Sequence, residues 1–127
     1  MIGIINRLDD YSGYKLVKEE KKINLKIYSF KEEGQRLVSI KFDVQRAKIP
    51  MFNLLSMIYE TDLYDLWFPF TKRSYDYTQL GKASKIAFQE MFMPFPLANR
   101  ECIMYGKGAN RIYHNGTVLV TAQSLSL

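Results

Sequence analysis

The sequence predicts an α+β domain, in which a curved antiparallel β-sheet carries helices on one side. Three observations predict this class. Apolar and polar residues alternate before residue 50, apolar residues recur at helical spacing just after it, and the alternation returns from residue 74. The predicted order is therefore three strands, two helices and four strands.

The composition is that of a single folded domain. The chain has 127 residues, of which 47% are hydrophobic and 24% charged, and its net charge of +5 favours anionic partners. One cysteine, Cys102, excludes an internal disulfide, and with a single histidine it leaves too few ligands for a structural zinc site. No apolar run approaches the roughly 20 residues of a membrane span, and residues 1–10 lack the pattern of a signal peptide. We therefore expect a cytoplasmic protein without a cofactor or metal.

The first part of the chain carries the strand pattern. A charged segment, residues 14–22, precedes Ile23, Leu25 and Ile27, which alternate with polar residues. The alternation is repeated from residue 38 to residue 45, and turn-like residues at 32–35 separate the two stretches. These segments predict a three-stranded meander with one face in solvent.

Pro50 marks the change to helix, because proline is tolerated in the first turn of a helix. Apolar residues then recur at helical spacing over residues 51–58. A second short helix begins at Thr61 or Asp62, since either can cap a helix. It ends at Phe68, because the residue before Pro69 is driven out of the helical conformation.

The last part of the chain predicts four strands, at residues 74–81, 84–93, 101–105 and 117–122. Residues 84–93 also fit a helix, but a strand is preferred because both neighbouring segments are strand-like. Glycine and asparagine predict turns at residues 106–108 and 114–116.

No group of residues indicates catalysis. His114 stands beside Asn115 and Gly116 in a predicted turn, where an exposed histidine is a better interpretation than a catalytic base. Cys102 lies within a predicted strand and is interpreted as a small buried hydrophobic residue. Gly106 and Gly108 are not followed by the Gly-Lys-Ser pattern of a phosphate-binding loop.

Two segments carry a family resemblance. Residues 59–70 (YETDLYDLWFPF) and 93–101 (MPFPLANRE) resemble segments of the START family of lipid-transfer domains in their sequence, their order and their separation. The resemblance covers most of residues 38–126. It implies a helix-grip fold, in which the curved sheet grips a long C-terminal helix and one lipid lies between them. It also implies that residues 1–127 form a single START-like domain truncated at the C-terminus, without the closing helix.

The resemblance implies non-enzymatic binding and transfer of a phospholipid, sterol or sphingolipid through an apolar cavity. Methionine and aromatic side chains suit such a cavity because they adapt to ligand shape. Phosphatidylcholine-binding members have Arg and Asp where this chain has Tyr64 and Phe68, which argues against a phosphocholine site. Trp67 is expected to be mainly a core residue, and Arg100 to hold the proline-containing turn. The candidate ligand-binding residues are Tyr64, Trp67, Phe88, Met91, Arg100 and Met104.

The expected partners follow from charge and from the last strand. Four basic residues are expected at the cavity mouth, namely Lys72, Arg73, Lys82 and Lys85. There they would contact anionic membranes transiently, so the protein is expected to be peripheral to membranes. No nucleic-acid partner is expected. The strand at 117–122 lacks a following strand, which predicts a homo-oligomer through this open edge. Two alternatives remain: a helix-grip enzyme acting on a small hydrophobic ligand, with Glu90 or His114 as acid–base group, and a ligand-free protein-interaction module.

Overall fold

The computed structural model describes residues 7–45 and 48–126. The chain divides into two compact units, Met1–Ile49 and Pro50–Leu127. The described residues form two antiparallel sheets, one of three strands and one of four, where the sequence pattern had predicted a single curved sheet. The α+β class and the number of strands before and after the helices are confirmed.

The first unit contains the predicted meander, with strands in the order β1-β2-β3. A 3-10 turn, Lys21–Ile23, joins the first two strands, so Ile23 lies just outside the strand in which its alternation had placed it. Gly34 has φ +81 in the turn before β3, a conformation that glycine adopts without steric cost. The strands are β1 (Lys15–Glu20), β2 (Leu25–Lys31) and β3 (Val38–Val44).

The second unit begins with helices and continues with a sheet of order β4-β5-β6-β7. Pro50 is the N-cap of the first helix, and the second helix ends before Phe68, as the sequence predicts. A 3-10 turn, Thr61–Leu63, lies between these two helices. The elements are α1 (Met51–Tyr59), α2 (Tyr64–Trp67), β4 (Thr71–Gly81), β5 (Ser84–Met91), β6 (Arg100–Arg111), α3 (Ile112–Asn115) and β7 (Thr117–Ser124).

The predicted turn at residues 106–108 is wrong, because β6 continues through it to Arg111. Lys107 is paired with Ser84 on one side and with Thr121 on the other, so this stretch of β6 is held between two strands. Between β6 and β7 the chain reverses at the other predicted turn, where Gly116 has φ +70 after the short helix α3.

The core of the second unit lies on β5. Residues 84–91 are a strand, which decides between the two interpretations of this segment. Ala87 and Phe88 are buried at 5% and 9% exposure. Trp67 is 43% exposed, so the expectation that it is mainly a core residue is wrong. Within the two described ranges, no helix is both long and apolar enough to cross a membrane.

Candidate functional site

The second unit contains a cavity of about 260 Å³. It is lined by residues of α1, of the segment that follows it, and of strands β5, β6 and β7. Most of the lining side chains are apolar, among them Leu55, Ile58, Tyr64, Ala87, Met104, Val118, Val120 and Ala122.

The local sequence explains why these residues share one cavity. Leu55 and Ile58 are three residues apart on α1, which places them on the same face of the helix. Val118, Val120 and Ala122 alternate along β7, so they share one face of the sheet. Gly106 leaves space beside them: an added Cβ would meet its nearest neighbours, the backbone oxygens of Thr121 and Lys85, at 3.9 and 4.0 Å.

Lys85 is the buried charge in the cavity lining. It is 6% exposed, and its Nζ atom lies 2.9 Å from Oδ2 of Asp76 and 4.1 Å from the centre of the Tyr59 ring. The expectation that Lys85 is a surface residue at the cavity mouth is therefore wrong. The physical reason is the alternation of β5, which places Lys85 on the same face as Ala87, the face that lines the cavity.

Hydrogen bonds hold the helical segment against β4. The Thr61 hydroxyl donates to Oδ1 of Asp76, and Nε2 of Gln79 donates to the Tyr59 hydroxyl at 2.7 Å. The backbone N–H of Asp65 donates to Oγ of Ser74 at 3.2 Å. Each contact joins the chain between Tyr59 and Asp65 to a residue of the sheet, so together they keep this side of the cavity in place.

Tyr64 joins the two helices at the cavity. Its hydroxyl donates to the carbonyl oxygen of Ile58 at 2.6 Å, and its ring stacks on Phe68 with the ring centres 5.5 Å apart. Burial raises the pKa of the Tyr64 hydroxyl, and the nearby charge of Asp76 raises it further. Tyr64 therefore stays neutral and acts as a hydrogen-bond donor.

The cavity brings together two of the six predicted ligand-binding residues, Tyr64 and Met104. Phe88 follows Ala87 on β5, and its ring stacks on Tyr75 with the centres 4.8 Å apart. The remaining three lie at element ends: Trp67 ends α2, and Met91 is paired in register with Arg100 where β5 ends and β6 begins. The ligand-binding role of all six residues stays a prediction.

Two of the basic residues expected at the mouth form ion pairs with Glu90. Lys72 Nζ lies 3.0 Å from one Glu90 oxygen, and the Arg73 guanidinium lies 3.6 Å from the other. The hydrogen bond from Lys72 is the main cause that lowers the pKa of Glu90, with Asn99 and the two positive charges acting in the same direction. Asn99 Nδ2 donates to Glu90 at 3.3 Å, so Asn99 links the proline-containing turn to the sheet while Arg100 is exposed.

Comparison with solved structures gives two similar folds. One is the STAR-related lipid transfer protein (fragment 25–204) from Xanthomonas axonopodis, with 18% identity, a TM-score of 0.77 and 89% of this chain covered. The other is human STARD10, with 15% identity, a TM-score of 0.81 and 97% of this chain covered. This chain spans 60% and 49% of the lengths of those two chains. No family model matches the sequence, and a search of curated proteins found no match.

The two antiparallel sheets and the short helices place this chain in the α+β class. Within that class, the two similar structures give the specific fold: the chain has the START fold, as its sequence resemblance implied.

Proposed function

We propose that this chain binds a lipid and transfers it between membranes, without performing chemistry on it. The observation that carries the proposal is the apolar cavity within a START fold. One of the two similar structures bears the name of a lipid transfer protein. A carrier needs only to replace water around the lipid, so no catalytic group or cofactor is required.

Apolar lining side chains favour such a ligand physically. Each CH₂ group that moves from water into an apolar site is favoured by about 0.8 kcal/mol. The cavity volume of about 260 Å³ lies just below the ~300–1,000 Å³ typical of small-molecule sites. A cavity of this size suits one apolar chain of a phospholipid or sphingolipid, or the side chain of a sterol. Tyr64 and Met104 are the predicted residues that would contact it.

The proposed setting is the cytoplasmic surface of a membrane. The net charge of +5 attracts anionic headgroups, and Lys82 is an exposed basic residue in the cavity lining. Among the described residues β7 and β4 are the two edges of this sheet, and we also propose that copies of the chain associate through β7.

A pair of leucine substitutions tests the cavity. Ala122 lies in the lining and Ala98 in the exposed turn before β6. In Ala122→Leu the added atoms occupy ligand space, and overfilling costs roughly 1–3 kcal/mol, so lipid affinity should fall about tenfold. Ala98→Leu adds the same atoms outside the cavity and should bind like the unchanged protein.

Binding of a fluorescent acyl lipid, together with native mass spectrometry of the purified protein, measures this. Failure of the unchanged protein to bind any acyl lipid or sterol would contradict carriage and favour a protein-interaction module. Equal affinity in Ala122→Leu and Ala98→Leu would show that the lipid binds elsewhere.

A further inference from the structure

The charged residues in the cavity lining all have the same sign. Lys82, Lys85 and Lys107 belong to the lining, and no carboxylate does within residues 7–45 and 48–126. The remaining lining residues are apolar or neutral. A ligand in this cavity therefore meets an apolar surface and positive charge.

Lys85 differs from the other two lysines because it is buried in a fixed position. Lys82 and Lys107 are exposed, whereas the Lys85 side chain is 8% exposed and paired with Asp76. Only the lysine of this pair is buried, since the Asp76 side chain is 38% exposed, and removing an ammonium from water costs free energy that a partly exposed partner offsets only in part. The pair is therefore poorly explained by stability alone, and its position in the lining suggests a role toward the ligand.

The Lys85 ammonium retains hydrogen-bonding capacity. It has three N–H donors. Oδ2 of Asp76 accepts one of them, and the Tyr59 ring lies beside the ammonium at 4.1 Å. Asp76 is itself shared with the Thr61 hydroxyl and does not belong to the lining. Within the described residues a carboxylate accepts only one of the three donors, so a ligand oxygen in the cavity can accept from another and share the ammonium with Asp76.

We infer that the ligand is an amphiphile with an apolar chain and a terminal oxyanion, a carboxylate or a phosphate, and that Lys85 is the residue that binds the oxyanion. The inference rests on the proposed function and specifies its ligand class. A hydrogen bond between charged groups is stronger than one between neutral groups, so the oxyanion should improve affinity about tenfold or more over a neutral end group.

Four ligands with the same apolar chain test the inference: oleate, oleoyl lysophosphatidate, oleyl alcohol and oleylamine. Each is titrated below its micelle concentration against the protein loaded with the neutral dye Nile red. We expect the two anions to bind about tenfold more tightly than the alcohol, with the amine weakest. The tighter of the two anions identifies carboxylate or phosphate as the natural end group.

Substitutions of the ion pair assign the effect to Lys85. Asp76→Asn leaves the cation without its counter-charge and should increase the preference for anions several-fold. The double substitution Lys85→Met with Asp76→Asn removes both charges together, so no buried charge is left unpaired, and it should abolish the preference. Lys31→Met, an exposed lysine of the first unit, is the matched control and should leave the preference unchanged. Thermal unfolding verifies that each variant is folded.

The outcomes separate the two proposals. If the alcohol or the amine binds as tightly as the anions, the oxyanion inference is overturned while lipid carriage stands. A preference that survives the double substitution overturns the role of Lys85. If none of the four ligands binds the unchanged protein while another acyl lipid or a sterol does, the oxyanion inference is overturned and lipid carriage stands. The proposed function itself fails only if no acyl lipid or sterol binds.

Discussion

At the scale of single residues, Glu90 has an environment that makes stability depend on pH. Its carboxylate is mostly buried on β5 between Lys72 and Arg73, and the hydrogen bond from Lys72 holds its pKa below the ordinary value of 4.5. A lowered pKa in the folded state means that the ionised carboxylate stabilises the fold. This stabilisation is fully present above pH 4.5 and is lost as the pH falls through the lower folded value.

We predict that Glu90→Gln lowers the melting temperature at pH 7, and that the difference from the unchanged protein shrinks as the pH falls below 4.5. Melting curves from pH 7 to pH 3 measure this. Glu33→Gln, in an exposed turn of the first unit, is the control and should shift the curves little at any pH. A difference that is independent of pH would mean that the ion pairs do not form.

Phe88 and Trp67 differ in burial, so substitution by alanine should lower the free energy of unfolding by different amounts. Phe88 is 9% exposed and lies between the Tyr75 ring and the Arg73 guanidinium, whose carbon is 5.2 Å from the Phe88 ring centre. Trp67 is 43% exposed and makes edge contacts with Tyr64 and Phe68. Phe88→Ala should cost about 3–5 kcal/mol in free energy of unfolding, and Trp67→Ala about half as much. Denaturant unfolding measures both, and a larger cost for Trp67→Ala would place the core at α2.

At the scale of elements, the sequence predicts well whatever depends on local periodicity. Alternation predicts the strands, and Pro50 and Pro69 predict where the helices begin and end. The turn predicted at residues 106–108 fails because glycine marks a turn only when the chain is free to reverse. Here both neighbouring strands hold Lys107 in the ladder, and such pairing between distant residues is invisible in a local pattern.

The same limit applies to the cavity. Tyr64 and Met104 were predicted from residue type and family resemblance, and both are in the lining. Lys85 was predicted at the exposed mouth and not in the buried lining, since nothing near it in sequence reveals that Asp76, on the neighbouring strand, pairs with it. A signal was present: Lys85 stands two residues before Ala87 on one strand and therefore shares its face.

Gly106 and Gly116 differ in backbone conformation, so substitution by alanine should change the stability of the fold in opposite directions. Gly106 lies in β6 with room for a Cβ, whereas Gly116 has φ +70 after α3. Gly106→Ala should stabilise the fold by about 0.4–1 kcal/mol, because alanine restricts the unfolded chain. Gly116→Ala should destabilise it by about 1 kcal/mol, because alanine disfavours a left-handed conformation. Melting temperatures measure both, and destabilisation by Gly106→Ala would indicate that residues 106–108 form a turn after all.

At the scale of the whole molecule, much apolar surface is accessible. Among the described residues only Ala87 and Phe88 form the buried hydrophobic core. Several large apolar side chains are instead at least three-quarters exposed, namely Leu37, Phe52, Leu66, Phe70 and Phe95. So many exposed apolar side chains favour contact with a lipid, a membrane or another protein, because such contact removes them from water.

We predict that the purified chain binds a hydrophobic dye and self-associates in water, and that a mild non-ionic detergent reverses both. Detergent covers apolar surface in the same way as a lipid or a second copy, which removes the free energy that drives association. Sedimentation equilibrium at micromolar concentration should give a mass above the 14.9 kDa of one chain without detergent, and one protein chain per particle with it. Raising the salt concentration separates the causes, because salt screens association between charges but does not weaken association between apolar surfaces. A chain that is monomeric with and without detergent and does not raise the fluorescence of the dye would contradict this prediction, because its exposed apolar side chains would then drive no association.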